Sequence, residues 1–551
     1  MFSLYFYILT DIIEYSNPFL LIPMKKLNAQ FHTGMVPCPM KKFIAWVLFL
    51  VLMGLITACG RNGPIEEPPE PTPTPYEQAP YYPIETVPTY IPGFDHYDVS
   101  LTIDPATRTV SGISRTTFTN RTGEPLDTIV LRVYLNAFRE DAGAGHFFPE
   151  FDHSIFRHGQ SFGYMDIQHV TMNNEDLDYV LMGTVLLLRP EEPLVPGETV
   201  HLVLQYDAYV PMIAYRTGAN DRAMWFGMFL PVLAVLGEDG WLLPEYYPAG
   251  DPFVLGMASF EVEIITPADY IVAGTGVTTE EITLEENDTK VTIFTASNAR
   301  NFAFAISPYF QRERVTTDGG DVHLYYYTEE IPVDSIMEII SVSMEYLSDR
   351  IGQYPFDHIR IVETDMFLSG VAFSNIIFMN TAALLQPDAR SIGRVLGHQW
   401  FSNIVGSNPV AEPWLDRGLV RYVIAGLIYD QPEDLWAHMA AEHALLTGRE
   451  DLFLAHGLEA FDNWLDYFKT HHIKGMLMFN ALNSHMGEEL FWELVRQYFQ
   501  AFHFQIATGA DFKELASEVY GYSLDDFFAE WFIGGGVPDL PVRFNGEGEA
   551  P

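Results

Sequence analysis

Two repeat lengths in one chain predict an α+β protein. From about Tyr97 to Tyr309 apolar residues recur at every second position; from about Ser335 they recur at helical spacing. Turn clusters such as Arg121-Thr122-Gly123 and Val195-Pro196-Gly197 cut the first region into strand-length pieces. The expected order is an antiparallel β domain with one buried face, residues 93–310, followed by a mostly helical domain, residues 311–545.

The elements follow in order. HYDVSLTIDP alternates and stops at a turn, and TVSGISRTTFTNRTG alternates again and ends in Thr-Gly. TIVLRVYLNAF, TVHLVLQYDAYV and SFEVEIITP keep the two-residue period. In the second part, SIMEIISVSMEYLSDRIGQYP carries a helix that stops at a proline. A short strand pair, IRIVET and NIIFMN, comes next. Helices are then expected at roughly 389–404, 413–429, 433–447, 471–486, 487–502, 510–519 and 523–532. No repeat of fixed period is visible.

Length and composition bound the function. The chain has 551 residues, of which 48% are apolar, enough for two or three domains and a sizeable core. Thirty basic residues stand against 73 acidic ones, a net charge of −43. Such a surface repels phosphate backbones and anionic lipid, so no nucleic-acid partner is expected. The two cysteines, Cys38 and Cys59, form no Cys-x-x-Cys pair, which rules out a thiolate zinc site.

The N-terminus reads as an address. Residues 40–58 place Lys41 and Lys42 ahead of an apolar run and end in Ile-Thr-Ala before Cys59. That order is a secretory signal. The cysteine gives it the look of a bacterial lipoprotein signal, in which Cys59 is lipidated and the chain is held outside the cytoplasm on a membrane. The alternative is an uncleaved anchor, but the apolar run is shorter than the ~20 residues a span needs. Residues 1–39 have no place in the signal and read as an overextended N-terminus. Residues 59–92 carry proline every two or three positions and form an extended linker.

Several segments together resemble the membrane alanyl aminopeptidases, peptidase family M1, a gluzincin family. They are YDVSLTIDPATRTVSGISRTTFTNRTGEPLDTIVLRVYLNAF, ARNFAFAISPYF, YPFDHIRIVET, SGVAFSNIIFMN, GHQWFSNIVG, WLDRGLVRYV, HHIKGMLMFNAL and DFKELASEVYGYSLDDFFAEWFIGGGVPDL, in family order over about residues 95–540. The resemblance implies a saddle-like β domain, then a thermolysin-like domain, with the active site in the cleft between them. It also implies zinc and aminopeptidase activity.

At the site itself the chain departs from that pattern. Zinc of this kind needs two histidines one helical turn apart, a carboxylate from the next helix and an open position for water. A glutamate beside the first histidine takes the water's proton. Here RVLGH stands where His-Glu-x-x-His is expected: Arg394 replaces the first histidine, Val395 replaces the base, and His398 alone remains as a ligand. The third ligand position, nineteen residues on, is Arg417. The glutamate that grips a substrate's amine aligns with Ala372, or in an alternative match with Ser374. The tyrosine that steadies the transition state aligns with His472. The flanks Gln399, Trp400, Phe401, Asn403, Trp414, Gly418, Lys474 and Gly475 still match.

These departures predict a catalytically inactive pseudo-peptidase with no cofactor, binding peptides in the old cleft or scaffolding among envelope proteins. One alternative is a zinc aminopeptidase with relocated ligands such as His472, Glu412 or Asp416. Another is a purely structural envelope module. Buried guanidinium groups must find partners. Arg394 and Arg417 are therefore expected either to pair with carboxylates such as Glu363, Asp365, Glu412 or Asp416, or to present an anion site.

Overall fold

The computed structural model describes residues 94–142, 151–237, 240–247, 250–317, 320–429, 431–534 and 536–538. The segments read as an overextended start (1–39), signal (40–58), Cys59 and linker (59–92) lie outside the described residues, as do 539–545. All described residues belong to one packing unit.

Alternating side chains build the strand-rich part around an eight-stranded sheet. Across it run Val277–Leu284, Thr289–Ala299, Ala258–Pro267, Asp95–Asp104, Thr109–Thr119, Thr199–Tyr209, Tyr164–Met172 and Glu175–Asp176. The period-two pattern does what it predicts: in Thr199–Tyr209, Val200, Leu202, Leu204, Tyr206 and Ala208 are buried and their neighbours are not. One pairing departs from the antiparallel expectation. Asp95–Asp104 lies parallel to Ala258–Pro267, with Tyr97 opposite Phe260. No tight turn can make that joint, so the intervening chain serves as the crossover. Two four-stranded sheets lie beside it, one centred on Phe304–Ser307 and Met224–Phe226, the other on Ile129–Arg132 and Val185–Arg189.

A five-stranded sheet opens the second part: Gln311–Thr317, Gly320–Tyr326, His358–Thr364, Ile376–Asn380 and Gly370–Phe373. The sequence predicts only its His358–Thr364 and Ile376–Asn380 pair. The hairpin over 311–326 escapes because its edge strand carries Gln311, Arg312, Glu313 and Arg314 exposed, so no apolar face marks it.

Four helices frame the site: α1 (Val333–Arg350), α2 (Ala389–Trp400), α3 (Trp414–Ile428) and α4 (Gly475–Met486). Asp388 starts α2, its Oδ1 accepting from the backbone N–H of Arg390 and Ser391 at 2.8 and 2.9 Å. The helix stops at Trp400 rather than near 404. There the N–H groups of Asn403, Ile404 and Val405 fold back onto the carbonyls of His398, Gln399 and Trp400. Helices α3 and α4 touch backbone to backbone at two glycines; a Cβ on Gly418 would lie 2.8 Å from the carbonyl carbon of Gly475. A π-helical turn, Phe468–Lys474, leads into α4, so the expected helix start at 471 falls inside it.

Two apolar cores result. One fills the strand-rich part and takes in Phe367, Phe373 and Tyr467 from the second part. The other lies among the helices, with Val395, Trp400, Trp414 and Phe479 fully buried in it.

Candidate functional site

The site is built on α2, α3, the π-helical turn and the strand Gly370–Phe373, all facing one cavity of about 110 Å³. Arg394, His398, Ala372, Arg417 and His472 line it. The structure thus brings together five of the residues singled out from sequence. Val395 does not join them: it is completely buried in the helical core. Nor does Ser374, whose Oγ accepts from the Arg300 backbone N–H at 3.0 Å and whose own N–H donates to Asn301 Oδ1 at 3.0 Å. Ala372 is therefore the cavity-facing member of that pair.

At the centre stands a guanidinium. Arg417 Nη1 lies 3.2 Å from His398 Nε2, and His398 Nδ1 lies 3.3 Å from the Phe401 carbonyl. This arrangement fixes a neutral imidazole: Nδ1–H donates to the carbonyl, and the Nε2 lone pair accepts from Arg417. Burial, then Arg417 and Arg394, hold the His398 pKa well below the ordinary histidine value. The lone pair that could bind a metal is already taken by an N–H.

The guanidinium's counter-charge comes from the strand-rich part. Arg417 Nη2 donates to Asp251, and the other oxygen of Asp251 accepts from Arg216. Arg216 also donates to the Gly250 carbonyl at 2.7 Å. Burial alone would raise the Asp251 pKa, but Arg216 and Arg417 outweigh it and hold the carboxyl well below the usual range. On the helical side, Arg417 Nε lies 3.5 Å from Asp416, which accepts from Ser402 Oγ at 2.8 Å. Burial raises the Asp416 pKa. Gly250 itself sits at φ +63°, and a Cβ there would meet the Tyr467 hydroxyl at 2.6 Å, so the turn before Asp251 requires glycine.

This corrects the expected pairing. Of the four carboxylates foreseen, only Asp416 touches either arginine. Glu363 accepts from the backbone N–H of Tyr327 and Thr328 and from the Thr328 and Thr381 hydroxyls. Asp365 pairs with Arg157 and His158, and Glu412 accepts from the Gly509 N–H at 2.7 Å. Arg394 instead donates through Nη2 to Ser369 Oγ at 3.0 Å and the Gly370 carbonyl at 3.1 Å, and takes no carboxylate among the described residues. Asp251, Arg216 and Tyr467 were not foreseen. The only local signal was the Gly-Asp-Pro turn at 250–252, which marks a bend and not a charge partner.

The residues present do not fit a catalytic zinc. His398 Nε2 is engaged, arginines stand at the two other ligand positions, and no three His, Cys, Asp or Glu side chains among the described residues converge as a metal site. The relocated set is not assembled either, since Glu412 and Asp416 hold the bonds just described. The arrangement can hold a ligand, through an aromatic wall of Phe151, Tyr215, Phe253, Phe367 and Trp464 and through the exposed edge of Arg394.

Residues 334–531 match the model of the peptidase family M1 domain. Among curated relatives, aminopeptidase O of Rattus norvegicus is 21% identical over 246 residues, covering 37% of this chain and 30% of the relative. Probable aminopeptidase 1 of Sulfurisphaera tokodaii is 26% identical over 221 residues, covering 35% and 27%. Aminopeptidase N of Escherichia coli (strain K12) is 23% identical over 252 residues, covering 41% and 29%. The matched stretch thus spans under a third of these relatives' length. Among solved structures, the M1 zinc metallopeptidase from Deinococcus radiodurans superposes with a TM-score of 0.62 at 20% identity, covering 81% of this chain and 95% of that one. A mutant of that enzyme bound to a Tyr-Ser-Ala substrate gives 0.60, covering 82% and 96%. These likenesses establish the fold: a strand-rich part followed by a helical peptidase-like part.

Proposed function

We propose that this chain, which belongs to peptidase family M1, is a lipid-anchored extracytoplasmic pseudo-peptidase that binds peptide-like ligands in its cleft without hydrolysing them. One observation carries the loss of catalysis: the Arg417 guanidinium bonds the only remaining ligand-type imidazole, His398, at 3.2 Å. A dication brought there meets a fixed positive charge, and the neighbouring carboxylates already face guanidiniums: Asp251 serves Arg216 and Arg417, and Asp416 lies 3.5 Å from Arg417. The position of the family's general base is the apolar Val395, which cannot take a proton from water. The open, aromatic-walled cavity favours ligand binding over a purely structural module, whose cleft would be filled by side chains. The address read at residues 40–59 supports the anchored location.

Metal analysis of the purified protein, alongside a panel of aminoacyl-arylamide substrates, tests this reading. The expected outcome is far less than one zinc per chain and no turnover that a chelator abolishes. Stoichiometric zinc with chelator-sensitive hydrolysis would restore the aminopeptidase with relocated ligands.

A further inference from the structure

The cavity and the chain have opposite signs. The chain carries −43, yet the charged side chains lining the cavity are Arg216, Arg300, Arg394 and Arg417 against Asp251 and Asp416. Both aspartates are engaged by Arg216 and Arg417. Two guanidiniums remain with no carboxylate partner among the described residues.

These two differ. Every nitrogen of the Arg300 guanidinium already donates, to the carbonyls of Leu255, Asn403, Ile404 and Gln505. Burial pulls its pKa down to about 10, so it stays charged at neutral pH and contributes field. Arg394 uses Nη2 alone, leaving Nε and Nη1 without a hydrogen bond among the described residues. His472 lines the same cavity; the residue is 6% exposed and its Nε2 has no hydrogen-bond partner among the described residues. A free amine finds nothing comparable. Asp251 already serves two guanidiniums, Asp416 is only 3% exposed and lies 3.5 Å from Arg417 with its Oδ1 making no hydrogen bond among the described residues, and Ala372 is aliphatic where the family pattern has a glutamate.

We propose that the cleft recognises the carboxylate end of its ligand: the open edge of Arg394 receives the α-carboxylate of a peptide whose last side chain lies against Phe151, Phe367 and Trp464. The proposal rests on the peptide-binding reading above and reverses the polarity with which a peptide enters. A guanidinium edge and a carboxylate match in a two-pronged hydrogen-bonded pair, stronger than a neutral contact and selective by shape. The cavity size agrees. At about 110 Å³ it is near the ~150 Å³ of a cavity that accepts a benzene ring. A single side chain fills that volume.

Calorimetric titration of the intact protein at neutral pH with three probes tests this: the dipeptide Ala-Phe, its C-terminal amide, and N-acetyl-Ala-Phe. Ala-Phe and its acetyl form are expected to bind within about threefold of each other and the amide at least about tenfold more weakly, a loss of ~1.4 kcal/mol. Arg394→Gln is expected to bring Ala-Phe to the affinity of the amide and leave the amide unchanged. Arg394→Lys, which keeps the charge without the fork, is expected to fall between; it stands in if the glutamine variant does not fold. Loss on acetylation but not on amidation would overturn the polarity and leave peptide binding intact, as would equal affinity for all three. No binding of any probe at millimolar concentration would overturn both.

Discussion

Arg417 is the residue on which the site turns, and its removal has a definite expected effect. In Arg417→Met, Asp251 keeps only Arg216, and the buried His398 Nε2 loses its donor. Breaking one side of a buried ion pair costs ~3–5 kcal/mol. Chemical denaturation should show that loss, and the double variant with Asp251→Asn should lose less than the sum of the single changes because the two residues share one interaction. Additive losses would mean that the pair is not coupled. His398, Arg394 and Arg417 were legible as a group because helical spacing and the order of flanking motifs fix their positions. Their true partner was not. Arg417 and Asp251 are 166 residues apart, and only the docking of a strand-rich loop onto α3 brings them together. No periodicity or motif encodes that approach.

Among the elements, the α3–α4 crossing sets where Arg417 and His472 face the cavity. Gly418→Ala would place a methyl 2.8 Å from the Gly475 carbonyl carbon, and backbone cannot move aside as a flexible side chain can. Overpacking of this kind costs ~1–3 kcal/mol. A matching drop in the denaturation midpoint is expected, whereas Gly448→Ala, on a turn with nothing within 4 Å of the added carbon, serves as a comparison limited to the strain of its φ of +79°. An unchanged midpoint for Gly418→Ala would show that the helices part freely. Long amphipathic helices such as α1 and α3 were readable from their apolar stripes. The early end of α2 was not, because its capping bonds come from Asn403, Ile404 and Val405 folding back after the apolar pattern has run on. The π-helical turn over 468–474 was hidden for a related reason: an extra residue in a turn changes hydrogen bonding without interrupting a sequence rich in aromatics and histidines.

For the whole molecule, the order of a strand-rich part followed by a helical one was visible in the change of repeat length, and the low-identity structural neighbours share that architecture. The parallel joint between Asp95–Asp104 and Ala258–Pro267 was not visible, since alternation reports which face is buried and not which way a neighbour runs. The proposed membrane anchor is tested on the full chain. Cys59→Ser is expected to move the protein from the membrane fraction to the soluble fraction on cell fractionation, with the detergent-extractable form lost; continued sedimentation with membranes would point to an uncleaved apolar anchor over 40–58 instead. A last consequence follows from where Asp251 sits. Any opening of the two parts about a hinge would draw the Asp251 carboxylate away from Arg417 and leave that guanidinium, only 6% exposed, without its Nη2 carboxylate partner. The clamp therefore ties the melting of one half to that of the other, and a single endotherm is the behaviour this geometry demands.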